Sequence, residues 1–144
     1  MKKKNNAFFK KDKKFIDVKI GQKFTYEKIV SNSMIQSYAL LIDDKNLLHF
    51  KSKKKSNSII YAHGMLIGSL VSTLLGSYFP IKNNLLLSIN LNFKKPVLPN
   101  QKVRVEASIT GKSDYKNIIM LKIYIYQGKK ILIVGEAIIK VNSE

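Results

Sequence analysis

Asp44 and His49 stand five residues apart in the segment Asp43-Asp44-Lys45-Asn46-Leu47-Leu48-His49, just past the expected end of a helix. A carboxylate and an imidazole that meet at one point can share a water and move its proton. Histidine exchanges a proton near neutral pH, and a carboxylate beside it serves as acid or base. A helix does not bring residues i and i+5 to one face. The pairing therefore needs a chain reversal, expected at Lys45-Asn46, where Asn46 would support the pair by tolerating a left-handed backbone. Asp after a helix is also a common turn residue, and a lone histidine is commonly a surface or core residue, so spacing alone leaves both readings open.

A second segment, Ala62-His63-Gly64-Met65, opens a long apolar stretch. A glycine in the first turn of a buried helix exposes a backbone amide that has no intrahelical acceptor and lies at the positive end of the helix dipole. The Gly64 amide can then take up negative charge building on a carbonyl oxygen. Close packing alone is the other reading of Gly64. His63 is read as a helix-start residue that holds the backbone, in preference to a catalytic role.

The elements that must position these residues follow from periodicity. Short strands are expected at Phe15 to Ile20 and Lys23 to Val30, divided at Gly21-Gln22. Ser31 suits a helix N-cap, and Ile35, Tyr38, Leu41 and Ile42 continue at helical spacing, with an end near Asp43 to Asn46. Lys51 to Asn57 reads as a charged loop. A longer helix is expected from His63-Gly64 to about Tyr78, ended by Pro80 and Asn83-Asn84. Strands follow. Leu85, Leu87, Ile89, Leu91 and Phe93 alternate, as do Val103, Val105, Ala107 and Ile109. Asn117 to Tyr126 and Lys130 to Val141 form a hairpin turned at Gln127-Gly128. An antiparallel sheet with one face to cover and one apolar helix to cover it gives an α+β, hot-dog architecture. Its open edge is protected when two subunits pair, so a homodimer is expected.

Composition narrows the function classes. The 144 residues suit one domain, 15–144, after a basic flexible tail, 1–14. The tail lacks the apolar core of a signal peptide. Absence of cysteine excludes disulfides and thiolate metal sites and fits a cytoplasmic setting. With two histidines, a multi-histidine zinc site is not expected. The net charge of +17 raises nucleic-acid binding. The excess is nearly all lysine, however, with Arg104 the only arginine, and no aromatic-and-basic recognition strand is evident. The excess reads instead as compositional drift, with lysines near a pocket mouth able to attract an anionic partner. Ile59 to Ile81 is long enough to span a bilayer, but its glycines, serines, His63 and Pro80 suit a buried helix of a globular protein better.

The chain resembles the MaoC-like dehydratases, specifically the (R)-specific enoyl-CoA hydratases. The resemblance rests on Tyr38 followed by Asp44-Lys45-Asn46-Leu47-Leu48-His49, on His63-Gly64-Met65-Leu66-Ile67-Gly68-Ser69-Leu70-Val71-Ser72, on Phe93-Lys94-Lys95-Pro96-Val97 and on Gly135-Glu136-Ala137. It covers roughly Gly21 to Val141. It implies a hot-dog dimer in which Asp44 and His49 activate a water that adds to a trans-2-enoyl thioester. Ser72 would orient the pair by a hydrogen bond, and the Gly64 amide would polarise the thioester carbonyl. Neither a metal nor another cofactor is implied. The implied substrate is an acyl-CoA or, in the alternative, a 3-hydroxyacyl thioester of acyl carrier protein undergoing dehydration. A non-catalytic hot-dog protein that binds acyl thioesters is a third reading. Two departures stand out: Leu47 replaces the family's proline, and Ile42-Asp43 replaces a small pair such as Ser-Gly before the catalytic Asp.

Overall fold

A computed structural model describes residues 13–51 and 58–142. Residues 1–12 of the expected tail and 52–57 of the expected lysine loop lie outside the described residues. Five strands form one antiparallel sheet: β1 (Lys23–Val30), β2 (Asn84–Phe93), β3 (Gln101–Ser113), β4 (Ile118–Gln127) and β5 (Lys130–Val141), in the order β1-β3-β4-β5-β2. Helices α1 (Asn32–Leu41) and α2 (Gly64–Thr73) precede β2. On β3, Val103, Val105, Ala107 and Ile109 are buried, and on β4 Ile119, Leu121, Ile123 and Ile125 are buried. Leu66, Ile67, Leu70 and Val71 of α2 complete the same core. Strict alternation on the strands and a helix apolar on most sides are thus two halves of one packing solution. This is the hot-dog fold.

Three expectations change. Phe15 to Ile20 is no strand; Phe15–Asp17 is a 3-10 turn, tied to the sheet by Lys112, whose Nζ donates to Phe15 O at 2.7 Å and Val18 O at 2.6 Å. The long helix is α-helical only to Thr73, after which Leu74–Tyr78 widens into a π turn. The Leu75 carbonyl accepts from Asn84 Nδ2 at 3.0 Å, which satisfies a group the regular helix does not. The apolar alternation of β2 is broken by a bulge between Leu86 and Ser88. One extra residue reverses the phase of a period-two pattern. Leu91 and Phe93 therefore pack over α2, while Leu85 and Leu87 stay half exposed. Gly135 lies opposite Leu91 in this pairing, and a Cβ there would collide with the Asn90 carbonyl.

No helix among the described residues is long and apolar enough to cross a membrane.

Candidate active site

Asp44 is placed by the way α1 ends. Ser31 caps its start, accepting from the Met34 amide at 3.2 Å. At its end, the Asp43 amide donates to Leu40 O at 3.4 Å and the Asp44 amide to Ala39 O at 2.9 Å. This pair of bonds is a Schellman motif, with Asp43 in the left-handed position at φ 53°. The left-handed residue is therefore Asp43, not Asn46, which is extended at φ −64°, ψ 120°. Asn46 supports the turn differently. Its amide donates to Asp44 Oδ1 at 2.9 Å, and its own Oδ1 accepts from the Leu48 amide at 3.1 Å. These two short-range side-chain bonds lead into a 3-10 turn, Leu47–His49, that presents the imidazole.

His49 is held by a neighbouring strand of chain. Its Nδ1 lies 2.7 Å from Tyr61 O. A carbonyl only accepts, so Nδ1 carries the proton and Nε2 of the neutral ring presents a lone pair. That Nε2 faces Asp44 Oδ2 at 3.8 Å. Two acceptors therefore face each other, a gap that a donor of two hydrogens can fill.

His63 enters the same cluster from the start of α2. It occupies the N-cap position, as expected, but its side chain makes no capping bond. Instead it stacks on His49, with 3.5 Å between centroids and 23° between planes, and meets Tyr38 edge-on at 5.1 Å. Its Nε2 lies 3.5 Å from Asp44 Oδ2. The ring is 4% exposed. Burial, and secondly His49, hold its pKa below the ordinary histidine value, with Asp44 opposing. The reading of His63 as a plain backbone holder is thus corrected. Asp44, His49 and His63 offer donor atoms within 4.8 Å of one another. The stacked rings would place a shared ion well out of each ring plane, where an imidazole lone pair does not point. Proton chemistry suits this cluster better than metal ligation.

A pocket of about 410 Å³ opens beside the cluster, lined by His49, Tyr61, Gly64, Ile67, Phe93 and Val97, with Lys94 and Lys95 also on its wall. Gly64 opens α2, so its amide belongs to the first turn, which has no intrahelical acceptors. A Cβ at Gly64 would come within 2.9 Å of the Phe93 ring, so the glycine also permits close packing. Ser72 is not brought to the pair within one chain. It lies eight residues along α2 from Gly64, roughly 12 Å at the helical rise, and is exposed. Among the described residues no hydrogen bond joins it to Asp44 or His49.

Comparison with known proteins identifies relatives that cover most of the chain. An (R)-specific enoyl-CoA hydratase from Aeromonas caviae is 32% identical over 127 residues, 85% of this chain and 95% of that one. A 3-hydroxybutyryl-CoA dehydratase from Methylorubrum extorquens is 27% identical over 134 residues, covering 90% and 85%. The solved structure of the A. caviae (R)-hydratase involved in PHA biosynthesis superposes with a TM-score of 0.80 at 31% identity, over 88% of this chain and 98% of that one. The family described as MaoC like domain matches residues 16–126. The chain belongs to the MaoC-like domain family.

Proposed function

We propose that this protein is an (R)-specific enoyl-CoA hydratase, which adds water reversibly to a trans-2-enoyl-CoA to give an (R)-3-hydroxyacyl-CoA. The observation that carries the reading is the facing pair of acceptors, Asp44 Oδ2 and His49 Nε2, 3.8 Å apart, of which His49 also lines an apolar pocket. A water between them donates one hydrogen to each and keeps an oxygen lone pair for attack. As that oxygen bonds to C3, His49 Nε2 takes its proton and the double-bond electrons move through C2 to the thioester oxygen. The Gly64 amide donates to that oxygen. His49 then returns the proton to C2, on the face from which the oxygen arrived, and the enolate collapses. Hydrogen and hydroxyl are thus added syn, with the Asp44 carboxylate beside the transient imidazolium offsetting its charge. The relatives' names support the hydro-lyase class and a coenzyme A thioester as substrate. Half-exposed Leu85 and Leu87 on edge strand β2 support a homodimer, and the chain without cysteine suits the cytoplasm.

The test is loss of enoyl absorbance from crotonyl-CoA. Asp44→Asn and His49→Ala, each folded by circular dichroism, are expected to lower kcat by about 10²–10⁴. Variants as active as the parent would end the assignment. Parallel assays with carrier-protein thioesters separate the coenzyme from the carrier as handle. Saturable acyl-CoA binding without turnover would favour a binding module.

A further inference from the structure

We propose that His63 is a positioning residue for the Asp44 carboxylate: its Nε2–H donates to Oδ2 and aims that oxygen at the water shared with His49. The proposal rests on the hydratase reading for its kinetics, and on the geometry for the bond itself. Both nitrogens of His63 are buried and neither has a hydrogen-bond partner in the described chain. A neutral imidazole carries one N–H, and a buried N–H without an acceptor costs more than an acceptor without a donor. Nε2 is the nitrogen that lies near the Asp44 carboxylate, 3.5 Å from Oδ2, a few tenths of an ångström beyond a good hydrogen bond. On Nδ1 the hydrogen would face no acceptor, and it would leave an Nε2 lone pair opposed to an anion.

The neighbours reinforce this choice. His49 stacks on one face and uses its Nδ1–H on Tyr61 O, so it cannot supply a hydrogen to Oδ2 while neutral. Tyr38 meets the ring edge-on from α1. Asp44 Oδ1 is held by the Asn46 amide. The two carboxylate oxygens are then fixed by two donors from different segments, one by the local turn and one by the start of α2. Burial, and secondly His49, hold the His63 pKa below its ordinary value, which favours the neutral ring with its single N–H. Two charged rings in a stack would repel, so His63 also leaves His49 as the ring that gains the proton during turnover.

Three variants separate donation from packing. His63→Phe keeps a flat ring against His49 and has no N–H. His63→Gln supplies an N–H at similar reach, and His63→Ala removes both. The expected result with crotonyl-CoA is a kcat reduced about 10–100-fold in the Phe and Ala variants, as for a misplaced catalytic group. KM should stay within a few-fold, and Gln should recover most of kcat. Full kcat in His63→Phe would overturn the proposal, as would a loss in Gln equal to that in Phe with both proteins folded. Nitrogen-15 NMR of the parent protein reads the bond independently of turnover. The Nε2–H tautomer is expected for His63, and an Nδ1–H tautomer would refute it. A parent protein inactive on all enoyl thioesters yet showing the Nε2–H tautomer would remove the hydratase reading and leave the His63–Asp44 bond standing.

Discussion

Replacing Leu47 by proline tests the turn that presents His49. Leu47 is the first residue of the 3-10 turn, and its predecessor Asn46 already sits at φ −64°, ψ 120°. That extended conformation is the one a residue before proline is driven to adopt. The cap at this turn uses the Leu48 amide, 3.1 Å from Asn46 Oδ1, and among the described residues no acceptor is seen for the Leu47 amide. Proline at the first helical position therefore removes no bond. Leu47 is 83% exposed, so little apolar burial is lost. What remains is the reduced freedom of the unfolded chain, worth about 0.4–1 kcal/mol in favour of folding. For a chain of this length that amounts to roughly 1–4 °C in Tm at fixed protein concentration. Calorimetry or urea unfolding measures it, and crotonyl-CoA hydration is expected to hold or rise. Leu48→Pro is the control: it deletes the capping donor, should cost about 1 kcal/mol, and should lower the rate by moving His49. A Leu47→Pro protein that is less stable than its parent, or that loses activity, would refute the described turn.

Other outcomes follow from the same geometry. Asp43→Val, a β-branched residue at φ 53°, should destabilise by about 1–2 kcal/mol and lower hydration by moving Asp44, whereas Asp43→Gly should leave stability within about 1 kcal/mol. Urea unfolding and initial rates read both. Lys112→Met loses two charged hydrogen bonds to Phe15 and Val18 carbonyls and a contact 4.4 Å from the Phe15 ring centroid. A cost of about 1.5–3 kcal/mol is expected in the urea midpoint. His63 titrates below its ordinary 6.5 when folded. The unfolded chain therefore binds the extra proton first as pH falls. The associated stability is fully present above about 6.5 and is lost as pH drops toward the lower folded value. Urea midpoints across pH 8 to 5 should show this slope in the parent and a shallower one in His63→Gln. Sedimentation or light scattering should give a dimer, and Leu87→Lys should shift it toward monomer.

The residues that signal within a few positions of themselves were legible in advance. Ser31 caps α1 because its hydroxyl lies beside a free amide three residues on, and the β3 alternation buries its apolar face because the period of a strand is two. The turn joining Asp44 to His49 is likewise local, closed by Asn46 within two residues on either side. Even so, the left-handed residue is Asp43, one position before that turn, since the helix-ending bonds to Leu40 and Ala39 decide which φ reverses.

Tertiary structure decided the rest. His63 lies fourteen residues from His49, and nothing in their spacing says that the rings stack. They meet because the Tyr61 amide bonds Leu48 O and the Ala62 amide bonds Val97 O, folding the start of α2 back over the turn. Ser72, in the same motif block, is carried away along the helix. The bulge at Leu87 reversed half of a strand pattern that reads as continuous. Hydrogen bonds between near neighbours depend on residue types alone, whereas convergence of distant segments depends on how sheet and helix pack.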